Sequence, residues 1–137
     1  MSSKTPLSVV SDHIESVKKV VRDQELAPMS GDCGIIAVGL QTVFGGDLVG
    51  SYANEVDFHQ MKPAHVAVRC DGQLIDGSGI TSREALRDRA CYNVTAKAMD
   101  DAIVCEIKEG SYRIYDPETT QQFVQQLRCE VARVSTT

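Results

Sequence analysis

HVAVRCDGQLID, residues 65–76, predicts a β-hairpin. β-Branched and other apolar residues run along both sides of Asp71-Gly72, and an Asp-Gly pair is typical of a two-residue hairpin turn. Once that turn is assigned, the partners across the hairpin follow by counting outwards from it. The predicted pairs are Cys70 with Gln73, Arg69 with Leu74, Val68 with Ile75, Ala67 with Asp76 and His65 with Ser78.

This register sorts the hairpin side chains onto two faces. Because side chains alternate along a strand, His65, Ala67 and Asp76 share one face. The opposite face is apolar, which gives the hairpin a surface to bury, and it carries Val66, Val68 and Ile75. His65 and Asp76 are diagonal neighbours at roughly 7 Å between Cβ atoms, within side-chain reach, and the small Ala67 leaves room between them. We therefore predict that Asp76 orients the His65 ring.

A helix is predicted upstream of the hairpin, in GDCGIIAVGLQTVFGG, residues 31–46. Its apolar residues recur on one stripe, and Gly45-Gly46 stops it. Cys33 falls in its first turn, where the positive end of the helix dipole lowers the pKa of a thiol and favours the nucleophilic thiolate. Free N–H groups at the same place can serve as an oxyanion hole.

Cys33, His65 and Asp76 together are the candidate catalytic residues. A carboxylate that holds one ring nitrogen of a histidine leaves the other nitrogen to exchange a proton with a cysteine. Two structural alternatives stay open: Cys33 as a small buried apolar residue, and His65 with Asp76 as a hydrogen-bonded pair on an exposed sheet face. The presence of both features in one chain favours the triad.

The remaining sequence predicts further elements of one α+β domain spanning residues 1–137, with residues 1–10 as a flexible tail. Ser11-Asp12 is a candidate cap of a first helix, and Asp116-Pro117 opens the last one, with proline at the first helical position. The predicted helices are residues 12–24, 33–44, a short one after Thr81-Ser82, and 116 to about 127. The further predicted strands are residues 48–52, 91–95, 102–107 and 112–115, and residues 53–63 are a predicted surface loop.

Composition restricts the functional classes. The net charge is −5, with basic residues scattered along the chain, so we expect no nucleic-acid partner. No apolar run approaches a membrane span, and the N-terminus lacks a secretory signal, so we expect a soluble protein of the cytoplasm, or of the host cytoplasm or virion if a phage encodes it. Five cysteines without a CxxC pair predict reduced thiols.

No metal or cofactor is expected. Cys33, His65, Cys70 and Cys91 are the residues that would have to gather a zinc ion, but their spacing matches no familiar pattern. His13 and His59 are predicted to be surface residues, with His59 the alternative base. Cys70, Cys105 and Cys129 are interpreted as packing residues.

The two segments GDCGIIAVGLQTVFGG and HVAVRCDGQLIDGSG resemble the small papain-like or transglutaminase-like cysteine hydrolases of the NlpC/P60 type, particularly phage and bacterial proteins. The resemblance covers about residues 29–90. It implies a papain-like α+β fold in which a helix carrying Cys33 packs on an antiparallel sheet carrying His65 and Asp76. It also implies Cys33 as nucleophile, His65 as base and Asp76 as the orienting acid. Papain-type enzymes place a glutamine about six residues before the cysteine, where this chain has Ala27. Gln24 and Ser30 are the candidates to replace it.

The function expected from these observations is cysteine-dependent hydrolysis of a peptide, isopeptide or side-chain amide bond through a thioester, with a peptide or protein as substrate. The alternative is a non-catalytic structural, adaptor or inhibitor protein of phage type that retains the fold without turnover. The sequence specifies neither the acyl acceptor nor the oligomeric state.

Overall fold

A computed structural model describes residues 12–27, 32–70, 73–90, 102–108 and 116–135. Its helices are α1 (Ile14–Asp23), α2 (Cys33–Phe44), α3 (Glu55–His59), α4 (Arg83–Ala90) and α5 (Pro117–Ser135). Its strands are β1 (Asp47–Tyr52), β2 (His65–Cys70), β3 (Gln73–Asp76), β4 (Gly79–Thr81) and β5 (Ile103–Glu106). Within these ranges the chain is α+β, and the five strands form an antiparallel sheet in the order β4-β3-β2-β1-β5. None of the described helices is both long and apolar enough to cross a bilayer.

The predicted hairpin is present in the predicted register. The β2–β3 ladder pairs Val68 with Ile75, and the next two pairs towards the turn also match the prediction. The ladder ends at the Val68–Ile75 pair. On its other side β3 pairs with β4, a three-residue strand that the sequence did not indicate, and there Asp76 is opposite Gly79. The predicted Ala67–Asp76 and His65–Ser78 pairs are therefore not part of it. The turn residues 71 and 72 lie outside the described residues.

Both faces of the sheet are covered. The larger core packs α1, α2 and α5 against the apolar face of the hairpin, which includes Val66 and Val68. On the opposite face α4 lies across β1, β2 and β5, and its Leu86 is fully buried with Ala67. The face that carries His65 and Asp76 is therefore an interior surface. The alternative interpretation placed this pair on an exposed sheet face, which is not observed.

The helix that carries Cys33 is held closely against the last helix. Gly39 of α2 leaves so little space that a Cβ built there would lie 2.3 Å from the Phe123 ring. Phe123 is itself fully buried. At the other end of α2, Gly45 with φ 88° and Gly46 with φ 100° turn the chain into β1, as the glycine pair predicted.

Two predictions about the N-terminal helix need correction. The helix is α1, Ile14–Asp23, and its N-cap is His13, which makes no side-chain cap bond. His13 was predicted to be a surface residue, but it is buried and its ring stacks on Phe44 at 6.2 Å. The imidazole follows the apolar stripe of α1 into the core.

Other predicted boundaries also shift. The predicted loop 53–63 contains α3, whose N-cap Asn54 accepts a hydrogen bond from the Asp57 N–H at 2.8 Å. The last helix runs on to Ser135 because Val131 continues its apolar stripe beyond Leu127. The predicted strands 48–52 and 102–107 correspond to β1 and β5. A capped helix after Ser82 is also found, since the Ala85 N–H donates to Ser82 Oγ at 3.1 Å. The tail 1–10 and the predicted strands 91–95 and 112–115 lie outside the described residues.

Candidate active site

A buried histidine–aspartate pair lies where β2 begins and β3 ends. His65 Nε2 is 3.0 Å from Asp76 Oδ2, and each residue is only 2% exposed. The other carboxylate oxygen, Oδ1, accepts the Ser78 N–H at 2.8 Å, so both oxygens of Asp76 are held. An ionised carboxylate can only accept, which makes Nε2 the donor and leaves Nδ1 as the ring nitrogen for another partner.

The partner of the ring is the Cys33 thiol. Cys33 is the first residue of α2 and is partly exposed. The interaction between its thiol and the His65 ring shifts the pKa of both groups, and the backbone at Val66 and Gly34 also lowers the pKa of the thiol. The three predicted site residues are therefore brought together where the first turn of α2 meets the start of β2.

Asp32 fixes the approach of the chain to Cys33. Its carboxylate accepts the Ala27 N–H at 2.7 Å, and its own N–H donates to the Ala27 carbonyl at 3.2 Å. Asp32 is the N-cap residue of α2, yet its side chain makes no cap bond to that helix. An N-cap carboxylate usually accepts hydrogen bonds from the first-turn N–H groups of its helix. The Asp32 carboxylate is instead bonded to Ala27, which precedes the helix. The donors at the start of α2 are thus left for a group at the thiol.

Opposing effects act on the pKa of Cys33. Burial raises it and is the largest single influence. The hydrogen bond and positive charge of His65, with the backbone hydrogen bonds of Val66 and Gly34, outweigh burial, and the net pKa of Cys33 is lowered. A thiolate at this position is therefore more accessible near neutral pH than at an ordinary cysteine.

The pKa of His65 moves the other way. Burial alone lowers it, but the hydrogen bonds to Asp76 and Cys33 and the negative charges of both residues raise the pKa of His65 to about 9. The lowered pKa of the thiol and the raised pKa of the ring together favour a thiolate–imidazolium pair. Cys33 and His65 titrate as a coupled unit, so the apparent pKa values of a titration belong to the pair and not to either residue.

The other described cysteines lie in different environments. Burial raises the pKa of Cys70, whose thiol donates to the Gly45 carbonyl at 3.5 Å, and burial likewise raises the pKa of Cys105. Both are consistent with packing roles. Cys129 was also interpreted as a packing residue, but it is exposed on α5, because it falls on the polar side of the helix.

Backbone N–H groups are the candidate oxyanion donors in this structure. Gln24, proposed from the sequence, is the C-cap residue of α1, and Ser30 lies outside the described residues. The backbone at Gly34 and Val66 lowers the pKa of Cys33 instead. Gly34 was foreseeable from the general availability of first-turn N–H groups. The contribution of Val66 depends on where β2 starts relative to α2, which no sequence motif indicates.

The remaining candidates lie apart from the site. His59 is exposed on α3 and faces Glu55 at 3.3 Å, as expected for a surface residue. Cys70, one of the residues considered for zinc, occupies the far end of β2 from His65, and Cys91 lies outside the described residues. Within the described ranges no group of three or more metal-binding side chains converges.

Comparison with known proteins identifies no relative. No family model, no curated protein and no solved structure matches this chain.

Proposed function

We propose that this chain is a cysteine hydrolase that uses Cys33, His65 and Asp76 to cleave a peptide, isopeptide or side-chain amide bond. One observation carries the proposal: a partly exposed thiol at a helix start interacts with a histidine whose Nε2 is held by a buried aspartate. A nucleophile, a base and a residue that orients the base are the minimum set for covalent acyl transfer. The first substrate class to test is a peptide or protein.

Each residue has a defined part in the proposed reaction. The Cys33 thiolate attacks the carbonyl carbon, and the N–H groups at the start of α2 stabilise the oxyanion. The imidazolium of His65 gives its proton to the leaving amine as the C–N bond breaks, which leaves a thioester on Cys33. His65 then takes a proton from water, the resulting hydroxide attacks the thioester, and the C–S bond breaks to release a carboxylic acid. Asp76 stabilises the imidazolium at each stage.

The same arrangement supports a papain-like type for the fold. In such a fold the nucleophile begins a helix and the base lies on a neighbouring antiparallel strand, which matches the positions of Cys33 on α2 and His65 on β2. The alternative function is a phage-type structural, adaptor or inhibitor protein with the same fold. That function needs these elements to pack together, but it does not need the thiol to ionise.

Turnover separates the two functions. Wild type and Cys33→Ala are incubated with a library of peptides and isopeptides, and product is followed by mass spectrometry. Loss of the sulfur should abolish cleavage while binding of a substrate or partner is nearly unchanged. Cys129→Ser is the matched control, because it removes an exposed thiol on α5, and it should cleave like wild type.

The stability of the variants is checked so that the comparison is fair. Removal of one sulfur from a partly exposed helix start should cost about 1 kcal/mol of the free energy of unfolding, within the ordinary range for point mutants. Thermal melts would verify this. An alanine variant that is folded and retains full activity would rule out the hydrolase and leave the adaptor in its place.

A further inference from the structure

The segment that joins β1 to β2, residues 53–64, lies at the end of the sheet that carries the candidate active site. It leaves β1 after Tyr52 and returns to the chain at His65, and Ser51 is paired with His65 across the ladder. The Ala64 N–H donates to the Ser51 carbonyl at 2.8 Å, which closes the segment at its base. The 53–64 segment is therefore a loop beside the base of the proposed triad.

The inner side of the 53–64 segment is anchored on β1. The Phe58 ring of α3 meets the buried Tyr52 ring edge to face, with 5.3 Å between ring centroids. Pro63 lies over Gly50, where a Cβ built on the glycine would be 3.2 Å from the Pro63 Cβ. These contacts hold α3 in place, so the side chains on the outer side of the segment are presented from a fixed element.

The outer side of the segment is apolar. Among the described residues three large apolar side chains are more than half exposed, and two of them belong to this segment: Val56 at 62% and Met61 at 54%, beside Ile80 of β4. Single exposed apolar residues are ordinary on a protein surface, so exposure alone assigns them no role. The backbone at Met61 is a second and independent observation.

Met61 follows α3 at a position that favours glycine. Its N–H donates to the Phe58 carbonyl at 3.1 Å, and the Lys62 N–H donates to the Asp57 carbonyl at 3.0 Å. These are the two hydrogen bonds of a Schellman motif, in which the residue after the C-cap is left-handed. Met61 has φ 57°. Glycine adopts this conformation freely, whereas a residue with a Cβ is strained in it.

Glu25, with φ 55°, shows the same geometry after α1, so glycine is not obligatory at such a position in this chain. The two side chains differ in what they gain from exposure. Water hydrates the Glu25 carboxylate, but an exposed thioether chain gains nothing from water. At Met61 a strained backbone and an exposed apolar side chain therefore coincide, and strain of this kind is concentrated where a protein contacts a ligand.

We propose that Met61 is a specificity-determining residue that contacts an aliphatic side chain of the peptide substrate near the scissile bond. Four residues of fully extended chain span at most about 14 Å, and Met61 is four residues before His65. The unbranched thioether adapts to aliphatic groups of different shape, and Val56 continues the apolar character of the same segment. This subsite deepens the proposed hydrolase function and rests on it.

Selectivity is measured with two peptide pools that are identical except for leucine or glutamine at one position, moved in turn through the residues around the cleaved bond. At one position wild type should favour leucine about tenfold in kcat/KM, and Met61→Gln should remove most of that preference. Met61→Gly should also lose it while raising the Tm by a few degrees, because it relieves the left-handed strain. Wild type without a leucine preference, or an undiminished preference in both folded variants, would overturn the subsite and leave the hydrolase intact.

Two variants are matched controls. Glu25→Gly relieves the same backbone strain after α1, and Ile80→Gln removes an apolar side chain that is as exposed as Met61. Both should keep the leucine preference of wild type, and Glu25→Gly should also raise the Tm. An equal loss of preference in either control would contradict the assignment to Met61.

Binding distinguishes failure of the subsite from failure of the hydrolase. The methyl signal of Met61 is followed by NMR in Cys33→Ala as each peptide pool is added. A saturable shift with the leucine pool and none with the glutamine pool would support the subsite even where wild type cleaves neither pool, an outcome that would contradict the hydrolase alone. No shift with either pool, or equal shifts with both, would overturn the subsite whatever the turnover.

Discussion

His65 Nε2 lies 3.0 Å from Asp76 Oδ2, and solvent reaches almost no part of either side chain. A carboxylate is stable in such a place only when its oxygens are paired, which the His65 ring and the Ser78 N–H provide. The bond also assigns the two ring nitrogens, since Nε2 faces Asp76 and Nδ1 remains for Cys33. The reactivity of the partly exposed thiol should therefore depend on a carboxylate that it does not contact.

Asp76→Asn tests this dependence. An amide can hold the ring in the other tautomer and carries no charge, so the pKa of His65 should fall below its wild-type value of about 9. Alkylation of Cys33 at neutral pH should slow by tenfold or more, while thermal melts show a folded protein. The His65 pKa is measured by NMR titration, and the alkylated residue is identified by peptide mapping.

Glu55→Gln is the matched control for that substitution. It also removes a carboxylate that faces a histidine, His59, at 3.3 Å, but this pair is exposed and lies on α3. Cys33 alkylation and the His65 titration should not change. If Asp76→Asn also leaves both unchanged, Asp76 has no part in the site.

Cys33→Ala should lower the pKa of His65, because a hydrogen bond and a negative charge from Cys33 both raise it. A histidine whose folded pKa exceeds its unfolded pKa stabilises the fold below about 6.5, and that stability is lost as the pH rises towards about 9. The lowered thiol pKa has the opposite sign: its contribution is present above the unfolded cysteine pKa and is lost as the pH falls through the folded one.

In wild type these two dependences oppose each other, whereas in Cys33→Ala only the histidine dependence remains. The free energy of unfolding of the alanine variant should therefore begin to fall near pH 6.5 and should level off below pH 9, because the folded pKa of its histidine is lower than in wild type. Urea unfolding from pH 6 to 9.5 would measure this. Parallel pH profiles for the two proteins would mean that Cys33 and His65 are not coupled.

Asp32→Ala should release the chain before Cys33, since the Asp32 carboxylate holds the Ala27 N–H at 2.7 Å. We expect a loss of about 1 kcal/mol in the free energy of unfolding, as for an ordinary hydrogen bond, and slower alkylation of Cys33. Asp32→Asn keeps an acceptor oxygen and should behave more like wild type. Equal alkylation rates in all three proteins would show that this closure does not position the thiol.

Much of the site was predictable from sequence because it rests on local rules. The Asp71-Gly72 signal determines the hairpin register, and the register brings His65 and Asp76 to one face. The glycine pair that follows the helix beginning at Cys33 predicts where that helix ends. These features depend on turn chemistry and on strand alternation, which operate over a few residues.

The parts that were missed depend on contacts between distant elements. His13 looks like a surface residue in its local sequence, but packing against Phe44 buries it. The cover over the second sheet face depends on α4, in which Leu86 is the one buried residue among positions 83–88 and gives a weak apolar pattern. The backbone at Val66 lowers the pKa of Cys33, which depends on how the start of α2 lies relative to β2. Such relationships require tertiary structure.

Gly39→Ala tests the packing that places α2. A Cβ at this position would collide with the fully buried Phe123 ring, and overpacking of a core costs about 1–3 kcal/mol. Chemical denaturation should show that loss, and a smaller side chain in Phe123→Leu should recover part of it in the double variant. Thr42→Ala, at an exposed position of the same helix, should change stability far less. Simple additivity of Gly39→Ala and Phe123→Leu would contradict the packing argument.

The central claim, that His65 activates Cys33, is tested most directly by the pH dependence of Cys33 alkylation in wild type and in His65→Gln. Iodoacetamide modification of Cys33 is quantified by mass spectrometry from pH 5 to 10, with folding confirmed for both proteins. In wild type the rate should rise through a thiol pKa below 9.0, and in His65→Gln the midpoint should move to higher pH, because burial then acts without the opposing hydrogen bond and charge. The same midpoint in both proteins would contradict the account.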